Sequence, residues 1–170
     1  MRKVRTIVVA LIMVMAMSAS VFAAGVTKDG AKKIALKNAK LTKSQVSNIT
    51  VKYDRDDAEY DVKFKSNKNG ARFSFEIKKS SGKIVEKSID YKYKRNSSRK
   101  KIGKLAAQKI AANKAGANLS AVKKGKCEYD YDDGEGIYEV EFRSGNYKYD
   151  IEIQAPTGKI TDYSWEYLRR

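Results

Sequence analysis

Histidine is absent from the 170 residues, and cysteine and proline occur once each. Without histidine there is no Ser/His/Asp or Cys/His nucleophile pair, no histidine-containing zinc site and no imidazole acid or base. One cysteine, Cys127, excludes an internal disulfide framework. Positive charge, by contrast, is abundant: 36 Lys plus Arg stand against 20 Asp plus Glu, a formal net charge of +16. A field of that size attracts anionic partners, whether nucleic acid, acidic protein, membrane or wall polymer.

The N-terminus narrows these. Arg2, Lys3 and Arg5 precede a nearly unbroken apolar run over residues 7–17, and small residues follow around Val21, Phe22, Ala23 and Ala24. That order is a secretory signal peptide, residues 1–23, with cleavage expected after Ala23 and Ala24 as the alternative site. An uncleaved membrane anchor is the alternative to cleavage, because the apolar run nearly reaches the roughly 30 Å of a bilayer core. The expected location is therefore secreted or extracytoplasmic. Removal of the signal leaves +13. Export argues against nucleic acid, and the basic residues are scattered rather than gathered into a groove with stacking aromatics.

The remainder repeats itself at an offset of 76 residues. Ala31, Ile34 and Ala35 recur as Ala107, Ile110 and Ala111; Tyr53-Asp54 recurs as Tyr129-Asp130; Gly82-Lys83-Ile84 recurs as Gly158-Lys159-Ile160. Between them, Tyr60, Val62 and Phe64 correspond to Tyr138, Val140 and Phe142 after a two-residue insertion, and a shorter loop at Ser144-Gly145 restores the register. Each copy opens on a helix, the first capped by Thr27 and the second starting at Gly103 and stopping at Gly116. Four alternating runs follow, in the first copy Val51/Tyr53, Tyr60/Val62/Phe64, Phe73/Phe75/Ile77 and Ile84/Ile89/Tyr91/Tyr93. Both final runs change parity, between Ile84 and Ile89 and between Ile160 and Tyr163, which predicts a bulge. Asn69-Gly70, Ser81-Gly82, Asp133-Gly134 and Thr157-Gly158 supply turns. The expectation is an α+β chain of two repeats, each one helix packed on a four-stranded antiparallel sheet, over residues 26–93 and 102–168, with a polar linker at 94–101.

A helix carrying Ala-x-x-Ile-Ala-x-x-x-Ala, a strand ending Tyr-Asp-x-Asp-Asp, then Tyr-x-Val-x-Phe and Ser/Thr-Gly-Lys-Ile resembles the PepSY domain. The resemblance covers both copies, with Lys40 standing where Gly116 ends the second helix. It implies a noncatalytic extracytoplasmic module, of the kind found in propeptides of thermolysin-like metallopeptidases and in small secreted proteins. It brings no catalytic residues and no cofactor. The partner it implies is an extracellular peptidase, inhibited or regulated in trans, with another protein as the alternative.

Single residues carry less than the charge pattern. Asp130, Asp132, Asp133 and Glu135 invite a calcium reading, but Glu135 occupies the place where a calcium loop needs glycine. A strand end and tight turn is the reading preferred over a weak cation site, so no metal site is assigned. Cys127 falls on an inward strand position as a small core residue, with a reactive thiol as the alternative. Residues 24–100 carry net +12, whereas residues 127–170 carry net −6. The outward strand positions of the second copy, Glu128, Glu139, Glu141, Asp150 and Glu152, are all acidic, while their counterparts Lys52, Asp61, Lys63, Ser74 and Glu76 balance. These five carboxylates are the candidate binding face for a basic partner. The alternative function is a cationic protein held by anionic wall polymers or lipid. Neither reading is an enzyme.

Overall fold

The computed structural model describes residues 25–132 and 134–168. The expected signal peptide and its cleavage site, residues 1–24, lie outside them, as does Asp133 of the Asp133-Gly134 turn.

Helix α1, Lys28–Ala39, starts where the Thr27 hydroxyl accepts the Gly30 N–H at 3.1 Å. That bond satisfies one of the amides that the first helical turn leaves without an internal partner. The helix buries Ala31, Ala35 and Leu36 and stops at Lys40, which adopts the left-handed conformation (φ 56°) and donates its N–H to the carbonyls of Leu36 and Lys37. After a short 3-10 turn at Lys43–Gln45 come β1 (Val46–Asp54), β2 (Glu59–Ser66), β3 (Arg72–Lys78) and β4 (Ile84–Asp90). An irregular stretch over residues 91–103 leads to α2 (Lys104–Ala115), α3 (Leu119–Lys124), β5 (Lys126–Asp132), β6 (Glu135–Ser144), β7 (Tyr147–Gln154) and β8 (Ile160–Tyr167).

The class is α+β, and the eight strands form one sheet in the order β1-β2-β3-β4-β8-β7-β6-β5, every neighbouring pair antiparallel. The expectation of a four-stranded sheet for each half is thereby corrected. Two such sheets would leave β4 and β8 as open edges with unpaired amides and carbonyls. Pairing of Glu86 through Asp90 with Glu166 through Asp162 removes both edges at once.

Direct cross-strand partners share a face. Phe64, Phe73, Ile89, Tyr163, Ile151, Val140 and Cys127 form one such line across β2 to β5, and this face carries the helices. Helix α1 packs on β1 to β3 over a core that includes Val62, Phe64, Phe75 and Ile77. Helix α2 packs on β5 to β7 over Val140, Ile151 and Ile153, with α3 beside it on β5 and β6. The parity changes are bulges: Val85 and Thr161 are the extra residues, where the register slips between Glu76 and Ile77 and between Glu152 and Ile153.

Three local expectations are revised. Strand β1 begins at Val46, because Asn48 at φ 54° shifts the register between Ser47 and Thr50 and hides the period-two pattern ahead of Val51. Helix α3 was not expected; Val122 is fully buried in it, whereas Val46, its counterpart in the repeat, opens a strand. Tyr91 and Tyr93 lie beyond the end of β4, in the irregular stretch. That stretch is fastened to the second half of the chain by the Tyr91 N–H to Thr161 carbonyl bond (2.9 Å), the Gln154 Nε2 to Lys94 carbonyl bond (3.1 Å) and the Ile102 N–H to Ala155 carbonyl bond (2.9 Å).

Lys40 gives a stability test. A side chain in the left-handed region costs roughly 1 kcal/mol relative to glycine, and Gly116 holds the same conformation at the end of α2 (φ 65°). Lys40→Gly should raise stability by about 1 kcal/mol, read as a higher urea midpoint at unchanged slope.

Candidate binding face

With α1, α2 and α3 on one side, the other face of the sheet is built from the alternate residues of each strand. Cross-strand register sorts its side chains into lines perpendicular to the strands, with neighbouring strands about 4.8 Å apart. One line runs Glu128, Glu139, Glu152, Asp162 and Asp90 across β5, β6, β7, β8 and β4, and continues into Arg72 and Lys65. Four residues further along β4 and β8 a second line runs in the opposite order. It begins with Lys52, passes through Asp61, Glu76, Glu86 and Glu166, and ends in Lys148 and Arg143. Between them lies a line of hydroxyls, Ser74, Ser88 and Ser164, continued by Asp150 and Glu141.

All five carboxylates singled out in the sequence lie on this face. Glu128, Glu139 and Glu152 are consecutive members of the first line, and Asp150 pairs with Glu141 in the line beside it. Lysines compensate part of the charge: Lys126 lies 2.8 Å from Glu128, and Lys148 lies 3.3 Å from Glu141. Sequence reasoning missed Asp162, Asp90, Glu86 and Glu166. Each half contributes one carboxylate from its last strand to the other half's line, and only the β4–β8 pairing brings them into place.

Crowding of like charge changes how these groups ionise. Burial, then the charges of Glu86, Glu59, Asp61 and Asp57, pushes the Glu76 carboxyl up to about 7 from its usual 4.5. Asp162 is pushed up to about 6 from 3.8 by burial and by Glu152, Asp90 and Asp150. Glu86 and Glu152 rise for the same two reasons, burial first and neighbouring carboxylates second, although the Thr161 hydroxyl opposes the shift at Glu152. Beside the acidic middle of the second line a cavity of about 440 Å³ opens, lined by Asp57, Glu59, Glu76, Glu86 and Glu166 among others. Glu59 within it pairs with Lys78 at 3.0 Å.

Of the turn carboxylates considered for calcium, Glu135 and Asp130 have local partners. Glu135, 7 % exposed, accepts from the Tyr93 hydroxyl at 3.1 Å and from Gln154 Nε2 at 2.8 Å. Asp130 accepts the Tyr131 N–H. Among the described residues no three acidic, cysteine or histidine side chains are grouped so as to hold a metal ion. The Cys127 side chain is buried in the core beneath α2, and that burial pushes its thiol up, away from the reactive thiolate. Among the described residues no helix is long and apolar enough to cross a membrane.

The segment that contributes α2, α3 and β5 to β8 is also the one that comparison with known families picks out. Residues 101–163 match the PepSY family model, "Peptidase propeptide and YPEB domain". Among solved structures the chain is similar to the Bacillus megaterium YpeB C-terminal domain. That likeness has 14% identity and a TM-score of 0.47, and covers 82% of this chain and 62% of that one. It is also similar to a cysteine-rich secretory protein from Staphylococcus aureus subsp. aureus Mu50, at 16% identity and a TM-score of 0.36, covering 79% of this chain and 43% of that one. This chain thus spans less than two thirds of either structure. No curated protein matches it. The PepSY match fits a noncatalytic regulatory or binding module.

The raised carboxyls predict a pH dependence. A carboxyl with a higher pKa in the folded chain than in the unfolded one stabilises fully below its unfolded value and loses that contribution as pH rises through the folded value. Glu76 therefore weakens the fold between about pH 4.5 and 7, and Asp162 between about pH 3.8 and 6. In Glu76→Gln the loss assigned to Glu76 should vanish: the variant's urea midpoint should exceed that of wild type at pH 8 and approach it at pH 4.5. A constant difference across that range would contradict the assignment.

Proposed function

We propose that this chain is an exported, noncatalytic binding module made of two PepSY-like copies, residues 26–93 and 102–168, joined at residues 94–101. It acts in trans on an extracellular peptidase by docking a basic region of that partner on the uncovered sheet face. The observation that carries the reading is the pair of carboxylate lines on a face that none of α1, α2 and α3 covers. Half-buried like charges on an open face are unfavourable to the chain alone, and a cationic partner relieves them. Support for a peptidase as partner comes from the PepSY match over residues 101–163, whose family description names peptidase propeptides. Support for two copies comes from the 76-residue offset and from the equivalent placement of the bulges at Val85 and Thr161. The apolar N-terminal run of residues 7–17 supports export.

A second reading rests on a different observation, the net +12 of residues 24–100. In that reading the protein is retained at the envelope by anionic wall polymers or lipid, with the acidic face as solvated surface.

Affinity capture from native culture medium separates the two. Wild-type protein should retain a peptidase identified by mass spectrometry and by its proteolytic activity, and Glu139→Lys/Glu152→Lys should lose it at least tenfold. Release of the protein from envelope fragments by moderate salt, with no peptidase retained, would establish the second reading instead.

A further inference from the structure

The helix-bearing face is not covered evenly. Helix α1 lies over β1 to β3 and α2 over β5 to β7, so the part of this face above the central strands β4 and β8, called the cleft below, lies between the two helices. On the floor of that cleft Lys87 stands directly opposite Trp165, and Ile89 opposite Tyr163, so Lys87 and Tyr163 are diagonal neighbours. A lysine in this position is unusual, since the corresponding face elsewhere is aromatic and aliphatic.

Each wall contributes to holding a cation there. From the α1 side, Asn38 Oδ1 accepts a hydrogen bond from Lys87 Nζ at 2.8 Å, and the ammonium lies 5.5 Å from the centre of the Phe75 ring. From the α2 side, Lys114 Nζ donates to the Tyr91 hydroxyl at 2.6 Å and lies 4.7 Å from the Tyr163 ring centre. Lys40, at the end of α1, adds a third positive charge that Lys87 senses. Among the described residues neither Lys87 nor Lys114 makes an ion pair. The carboxylate lines are on the opposite side of the sheet.

Most of the unused hydrogen-bonding capacity is donor. Asn38 keeps its amide N–H groups, the Tyr91 hydroxyl that accepts from Lys114 keeps its O–H, and each ammonium retains two N–H groups. Two sets of donors therefore carry two positive charges that act on each other and that no carboxylate pairs among the described residues. A tetrahedral dianion, with oxygens directed to both walls, satisfies them better than a planar monoanion does.

We propose that the cleft between α1 and α2 is a phosphate-binding site in which Lys87 and Asn38 from one side and Lys114 and Tyr91 from the other hold the oxyanion. Burial and the charges of Lys114 and Lys40 pull the Lys87 ammonium down to about 8 from 10.5, the cost of leaving it without a counter-ion. The ligand source is free inorganic phosphate or a phosphomonoester on a larger molecule.

The test is calorimetric titration of the full chain at pH 7.5 and constant ionic strength with inorganic phosphate, glycerol phosphate and acetate, beside NMR observation of the lysine side chains. Saturable one-to-one phosphate binding is expected, with the Lys87 titration moving upward on saturation. Lys87→Met and Lys114→Met should each weaken binding at least tenfold, while Lys123→Met, on exposed α3, should not. Circular dichroism verifies that each variant is folded. Glycerol phosphate binding as tightly as phosphate assigns the site to a phosphomonoester; phosphate alone assigns it to the free ion. Absence of saturable binding, equal affinity for acetate, or binding indifferent to both cleft variants would overturn the proposal.

Discussion

The pairing of β4 with β8 is the constraint on which the rest of the molecule depends. It is short, from Glu86–Glu166 to Asp90–Asp162, and it joins strands about 76 residues apart in the chain. Without it each half would present an open strand edge, a template for uncontrolled association. With it the edges of the sheet are β1 and β5 alone. Strand β5 has seven residues, and β1, although nine residues long, is interrupted by the Asn48 irregularity, which shifts its register and works against continued pairing.

The same pairing decides what each face can do. On the outer side it sets Glu86 beside Glu166 and Asp90 beside Asp162, like charges directly opposite, an arrangement that costs stability in an antiparallel pair. Hydroxyls at Ser88 and Ser164 fill the middle of that ladder, so no apolar contact offsets the repulsion there. The inner side compensates, since Ile89 and Tyr163 are buried against one another and against the core beneath α2. One short strand pair thus divides its work: adhesion on the inner face, stored repulsion on the outer. A face under that repulsion is poised to accept positive charge.

Much of this was legible in the sequence because it is local. Thr27 as a cap, Gly116 as a stop, the turn glycines and the alternation through Tyr60, Val62 and Phe64 all act within a few residues. The parity change near Ile84 and Ile160 was visible for the same reason, and it is the bulge that turns Glu86 and Asp162 outward. Where the local signal was interrupted, reading failed. The positive φ of Asn48 concealed the start of β1, and α3 is too short, at six residues, for its pattern to stand out from the strand that follows. The five acids of the second half were visible as alternating positions on consecutive strands. Their continuation into Asp162 and Asp90, and the whole second line, required the partner of β4, which no sequence period specifies. Judged by sequence the first half's outward positions summed to neutrality; judged in space three of them, Lys52, Asp61 and Glu76, belong to a line that Glu86 extends to Glu166 of the other half.

Net charge, the most conspicuous property of the chain, therefore says little about either surface. A strongly basic protein presents carboxylates in lines across one side of its sheet, while on the other side Lys87 and Lys114, held by an amide oxygen and a hydroxyl rather than by carboxylates, are half-buried. The charges that raise the Asp162 carboxyl, Glu152, Asp90 and Asp150, lie on its own face, and those that lower the Lys87 ammonium, Lys114 and Lys40, lie on the helix side, so each face sets its own ionisation.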